Sequence, residues 1–277
     1  MKASSVIGYA ILAAAAIYYF GDDSGNSSNT SNQTNSSGNT SGIGSSERYA
    51  EQRSSTGSAY GLRATDNSWP TLGESTEAIA ANLTSKNYYV VFDGSGSMAK
   101  QGCSGSRSKL SVARDSLASF AKSIPSDANI GLFIFDGNGR NERIPLGTGN
   151  RDSFIDAINS TRADGGTPLK SAINIGYLAL EAQAKRQLGY GEYNLVVVTD
   201  GKASSEKETP HSAVERVLEK SPVVIHTVGF CIDSRHSLNQ PGKTYYKQAN
   251  DANSLTKGLS EVLAESPSFD ADTFSTN

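Results

Sequence analysis

From residue 88 onward, short runs of β-branched and aromatic residues alternate with longer apolar stripes at helical spacing, and this alternation decides the fold class. Tyr88–Phe92, Ile130–Phe135, Tyr193–Thr199 and Val223–Phe230 read as strands. Leu110, Ala113, Leu117, Phe120, Ala121 and Ile124 mark a helix over Lys109–Ile124, and Phe154, Ile155 and Ile158 a short one over Arg151–Asn159. Leu169, Ala172, Ile173, Gly176, Tyr177 and Leu180 line a third helix running to about Leu188, with Pro168 at its first helical position. Pro210–Lys220 and Asn253–Ala264 complete the helices. Arg143–Leu146 and Thr244–Lys247 read as short strands, the former held to a sheet edge by Pro145. The class is α/β: a doubly wound, mostly parallel sheet flanked by helices. Such sheets bind ligands beyond the carboxyl ends of their strands, where the strand order reverses.

At that end of the first strand stands Asp93-Gly94-Ser95-Gly96-Ser97-Met98. One carboxylate and two hydroxyls at alternating positions can turn toward a single point, and the glycines let the backbone curl around it. Oxygen donors without nitrogen or sulfur suit a hard divalent cation, Mg²⁺ above all. Gly165-Gly166-Thr167-Pro168-Leu169 is a turn feeding a helix with one hydroxyl at the junction, and Leu195–Asp200 is a second strand ending in a carboxylate.

The three segments in this order resemble a von Willebrand factor A-type (VWA) domain carrying a metal-ion-dependent adhesion site, over roughly residues 80 to 265. The family pattern, Asp-x-Ser-x-Ser followed by a Thr and then an Asp, falls on Asp93, Ser95, Ser97, Thr167 and Asp200 without departure. The resemblance implies that Ser95, Ser97 and Thr167 give oxygen ligands, directly or through water, while Asp93 and Asp200 hold coordinated waters or bind the ion weakly. The implied cofactor is Mg²⁺, with Mn²⁺ or Ca²⁺ as substitutes. The implied partner is a protein offering an Asp or Glu carboxylate to the ion's open position. The alternative function is a regulatory or scaffold module of a membrane complex with a structural metal.

Enzymatic patterns are missing. The chain has no Gly-x-Ser-x-Gly elbow, no phosphate loop with its Lys-Ser/Thr pair, and no His-Glu-x-x-His. An aspartyl phosphotransferase built on Asp93 lacks a second acid two residues on, because Ser95 stands there. A binding module, not an enzyme, is therefore expected. Of the three histidines, His226 alternates within a strand and reads as a packed core residue. The net charge of −3 comes from 25 basic and 28 acidic residues that are interspersed, so nucleic acid is not an expected partner.

Residues 1–21 read as a transmembrane signal-anchor, with Lys2 on the cytoplasmic side and Tyr18, Tyr19 and Phe20 at the far interface. A cleaved signal peptide is the competing reading. Either places the VWA domain on the extracytoplasmic side, tethered as a single-pass membrane protein or, after cleavage, secreted. Residues 22–47, almost entirely Ser, Asn, Gly, Thr, Asp and Gln, read as a disordered linker. Residues 48–80 read as a polar lead-in, 81–265 as the VWA domain and 266–277 as a C-terminal tail. The only cysteines, Cys103 and Cys231, both fall at the functional edge of the sheet, and in an exported domain they suggest a disulfide. Two separate buried thiols are the alternative.

The loops Gly137–Gly139, Ala203–Thr209 and Ile232–Gly242 are expected near the same edge, where they would shape partner specificity.

Overall fold

The computed structural model describes residues 69–71 and 78–264. The anchor, the linker and the C-terminal tail of the sequence reading lie outside the described residues. Among the described residues no helix is long and apolar enough to cross a membrane.

Among the described residues six strands form one sheet: β1 (Lys86–Asp93), β2 (Asn129–Asp136), β3 (Gly139–Gly147), β4 (Glu192–Thr199), β5 (Val224–Phe230) and β6 (Tyr245–Ala249). Their order is β3-β2-β1-β4-β5-β6. All neighbours pair in parallel except β2 and β3. The chain winds outward from β1 in one direction and then from β4 in the other, so the reversal of strand order lies between β1 and β4. Among the described residues the α-helices are α1 (Lys109–Ser123), α2 (Arg151–Asn159), α3 (Leu169–Arg186), α4 (His211–Lys220) and α5 (Ala252–Ala264).

The central strands are apolar on both faces, as burial between two helical layers requires. Along β1, Tyr88, Val90 and Phe92 pack with α1, α2 and α5 on one side. Tyr89 and Val91 pack with α3 and α4 on the other. The register Phe92↔Val198 on one flank and Asp93↔Phe135 on the other brings the carboxyl ends of β1, β2 and β4 level.

Several boundaries differ from expectation. Strand β3 is longer than Arg143–Leu146 and runs antiparallel to β2 across a tight turn at Gly137-Asn138. Asp136 makes that turn by accepting hydrogen bonds from the Asn138 backbone N–H at 2.9 Å and from its side-chain amide at 3.2 Å. Gly139, at φ 110°, takes a conformation open to glycine and opens β3 instead of closing a loop. Pro168 precedes α3 as its cap residue instead of standing inside it, because its ψ of 64° is not helical. Helix α3 stops at Arg186, where Leu188 turns to a φ of 54°.

Trp69, in the polar lead-in, packs edge-on against Tyr193 with ring centroids 4.9 Å apart, and Ala80 N–H donates to the Arg186 carbonyl at 2.8 Å. Cys103 and Cys231 form a disulfide across a sequence separation of 128, with Cα atoms 5.5 Å apart. It joins the loop after β1 to the residue that follows β5.

Candidate metal centre

Strand β1 ends in Asp93, which is fully buried. A carboxylate there must be satisfied internally. Its Oδ1 accepts the Ser95 backbone N–H at 2.8 Å, and its Oδ2 accepts the Thr199 hydroxyl at the end of β4. The chain then turns through Gly94, where a methyl group would stand 2.7 Å from both Asp136 Cβ and Thr161 Cγ2. Only glycine fits so close an approach to the neighbouring loop. A short 3-10 turn over Gly96–Ala99 follows and presents the Ser97 hydroxyl.

Ser97 Oγ lies 3.0 Å from Ser95 Oγ and donates to Asp200 Oδ1 at 2.6 Å. Asp200, directly after β4, is also buried. Its other oxygen, Oδ2, is 2.6 Å from the Lys109 ammonium at the start of α1. Thr167 lies close by. A methyl group on Gly201 would lie 3.5 Å from Thr167 Oγ1 and 3.7 Å from Ser97 Oγ, so both hydroxyls front the same stretch of backbone. The five residues named from the sequence therefore come together from three loops at the β1/β4 crevice.

Backbone hydrogen bonds fix the loops on one another. Gly96 N–H donates to Gly165 O at 3.1 Å, Asp164 N–H to Gly94 O at 3.0 Å, and Ser204 N–H to Thr167 O at 3.1 Å. The Thr167 N–H donates to the Ser204 hydroxyl at 3.2 Å. Gly165 joins the middle loop at a φ of 82°. The loop after β5 reaches the same edge: His236 Nε2 is 2.7 Å from Gly201 O, and its Nδ1 accepts the Leu238 N–H at 3.1 Å. This pattern sets the tautomer with the proton on Nε2.

Burial pushes the Asp93 carboxyl up to about 6; the hydrogen bonds from Ser95 and Thr199 pull the other way, and the Asp200 charge adds to the rise. An ionised Asp93 is thus short of positive charge. The donor chemistry is two carboxylates and three hydroxyls, all hard oxygens, which fits a cation such as Mg²⁺ and not a thiolate- or imidazole-seeking metal. No group of three or more His, Cys, Asp or Glu able to hold a metal ion occurs among the described residues, and this cluster brings only two carboxylates, its other oxygens being hydroxyls. His226 is a core residue: buried, 3.2 Å from Asn194 Oδ1 through Nε2 and stacked on Tyr245 at 5.2 Å.

Sequence reasoning missed Thr199, Lys109 and His236. Thr199 was visible as a hydroxyl beside Asp200 at the close of an apolar run. Nothing local marks Lys109, because its partner lies 91 residues away.

Residues 88–202 match the family described as von Willebrand factor type A domain. The chain is 26% identical over 157 residues to the uncharacterized protein YwmC of Bacillus subtilis, a match covering 52% of this chain and 66% of that protein. Among solved structures it resembles a von Willebrand factor type A protein from Catenulispora acidiphila, with a TM-score of 0.54, 14% identity, and coverage of 66% of this chain and 43% of the other. The pilus adhesin SpaC from Lactobacillus rhamnosus GG gives a TM-score of 0.53 at 16% identity, with 66% and 31% covered. The PilB minor pilin from Streptococcus sanguinis gives 0.53 at 14% identity, with 69% and 63% covered. The chain spans less than two thirds of each of these relatives. At such identities the structural likeness is one of fold, and with the family match it supports a VWA domain.

Proposed function

We propose that this VWA domain is a metal-dependent protein-binding module, tethered to a membrane on its extracytoplasmic side, and not an enzyme. The observation that carries the reading is the convergence of Asp93, Ser95, Ser97, Thr167 and Asp200 at the strand-order reversal, linked through Ser95 Oγ, Ser97 Oγ and Asp200 Oδ1 at 3.0 and 2.6 Å. Mg²⁺ is the proposed ion, and Mn²⁺ or Ca²⁺ would substitute. When bound, it supplies an electropositive point to which an Asp or Glu side chain of a partner protein is drawn.

The chain's own residues do the rest. Ser95, Ser97 and Thr167 offer neutral oxygens, which hold a cation without quenching its charge. Asp93 and Asp200 orient those hydroxyls and balance the ion from behind. The loops that carry Ser204 and His236 wall the crevice and are placed to read the partner. The adhesive role named for the pilus adhesin of the same fold favours a binding function here.

A structural role for the metal, within a regulatory or scaffold module, is the weaker reading. Lys109 already pairs with Asp200, so that carboxylate does not depend on an ion for its charge balance. The test is a crosslinking pull-down from intact membranes in Mg²⁺ or in EDTA. Capture of a protein partner in Mg²⁺, lost in EDTA while the circular dichroism of the domain is unchanged, supports the bridge. Capture of equal strength in both buffers refutes it.

A further inference from the structure

Lys109 occupies a place that local preference opposes. It is the first residue of α1, where the helix dipole disfavours a cation, and the first turn of α1 carries no acidic residue to offset it. Ser108 caps the helix by accepting the Ser111 N–H at 3.2 Å, so the lysine is not needed for capping. Its side chain nonetheless runs inward: only 12% exposed, it ends 2.6 Å from Asp200 Oδ2, on a carboxylate with no exposure at all.

The path of the stem is built. Lys109 N–H donates to Lys100 O at 2.9 Å. Gly102 lies over the far end, where a methyl group would come within 3.5 Å of Lys109 Cε. The adjacent Cys103 is pinned to Cys231. Both oxygens of Asp200 are thereby engaged from within the protein, Oδ1 by the Ser97 hydroxyl and Oδ2 by the ammonium. A cation that draws on Asp200 meets a positive charge already seated there, and like charges in a partly buried site repel strongly.

We infer that Lys109 is an internal counter-cation that a divalent ion displaces from Asp200, so that this lysine sets the ion affinity of the cluster. The inference rests on the metal-binding reading of the site. With Lys109 on Asp200 the two carboxylates keep one uncompensated negative charge. With a divalent ion in its place they are balanced. Asp200 is therefore paired with a cation in both states, and affinity for the ion is reduced by the work of moving the lysine.

The test compares the oxidised full chain as wild type, Lys109→Met and Lys109→Arg, by Mg²⁺ calorimetry and by melting in EDTA and in Mg²⁺. Lys109→Met, which keeps an unbranched stem but no charge, is expected to bind Mg²⁺ at least about tenfold more tightly. It is also expected to melt lower in EDTA and to gain more from Mg²⁺ than the wild type does. Lys109→Arg should remain close to wild type. Mg²⁺ uptake by the wild type with equal or weaker uptake by Lys109→Met overturns the inference alone. No uptake by any of the three overturns the metal-binding reading and the inference with it. A second measurement needs no variant: acetylation of Lys109 in the wild type, followed by mass spectrometry, should speed up when Mg²⁺ replaces EDTA. An unchanged or slower rate overturns the displacement.

Discussion

Strand β1 begins at a buried amide cluster and ends at a buried oxygen cluster, and the two are satisfied in opposite ways. At its start, the side-chain amide of Asn87 donates to Gln187 Oε1 and to Glu192 O, both at 2.8 Å, and its carbonyl accepts from the Asn129 amide at 2.8 Å. Gln187 in turn donates to the Ser85 carbonyl at 3.0 Å. Neutral donors and acceptors are matched there, and nothing further is called for. At its end, Asp93 and Asp200 are acceptors only, surrounded by hydroxyls whose donors are spent on them, and one ammonium is the sole cation found in contact with either carboxylate among the described residues. A polar cluster that closes on itself is architecture. One left with surplus acceptor charge at the strand ends where such sheets bind ligands has the chemistry that the proposed cation would satisfy.

The largest effect expected from breaking this contrast is at the staple beside the oxygen cluster. Replacing Cys103 and Cys231 with serine should cost up to about 5 kcal/mol on the chain-entropy account, measured by urea denaturation. Hydrogen exchange should accelerate around Gly102 and Cys231 before it does around Asn87.

Next in size is the amide end. Asn87→Leu leaves the Asn129 amide and Gln187 Oε1 without their partner, at a cost of about 2–3 kcal/mol. That loss should be the same in Mg²⁺ and in EDTA, since no cation enters the account there.

His226 is a third buried polar group, and it sharpens the comparison through pH. Burial, reinforced by Lys247, depresses its imidazole from 6.5 to about 4. The unfolded chain therefore binds a proton that the folded chain refuses. Stability is fully present above about pH 6.5 and is lost as pH falls toward 4, by on the order of 2–3 kcal/mol. Taken as the difference between wild type and His226→Gln across pH 7 to 4, the slope isolates this residue. A difference that does not change with pH would contradict a buried neutral imidazole.

The smallest effect in EDTA is expected at the oxygen end itself. Asp93→Asn removes a desolvated charge and keeps the shape, so its stability there should lie within about 1 kcal/mol of wild type, or above it. Any gain in melting temperature from Mg²⁺ should vanish in this variant. A destabilisation as large as that of Asn87→Leu would mean that Asp93 is architecture after all.

Much of this arrangement was legible in the chain. The runs Tyr88–Phe92 and Leu195–Val198 are too uniformly apolar for anything but central strands, and the residues that close them had to lie at one edge. That pattern alone puts Asp93 and Asp200 at one edge of the sheet. The same logic suggested the Cys103–Cys231 disulfide that the structure contains, but left two separate thiols open as the alternative. Strand β3 was legible only in part: its exposed residues, such as Arg140 and Glu142, are polar, so hydrophobic pattern does not show it, and the Gly137-Asn138 turn that makes the hairpin read only as a loop. The long-range polar contacts were not legible at all. Asn87 with Gln187, Thr199 with Asp93 and Lys109 with Asp200 join residues 100, 106 and 91 positions apart. Amides, hydroxyls and lysines are too common in sequence to announce such partners.

The most direct measurement is calorimetric titration of the folded, oxidised chain with Mg²⁺, repeated with Mn²⁺, for wild type and Asp200→Ala. Saturable uptake of one ion per chain, abolished in the variant, is the predicted result. Absence of uptake of either ion by a wild-type protein that is fully folded would contradict the account.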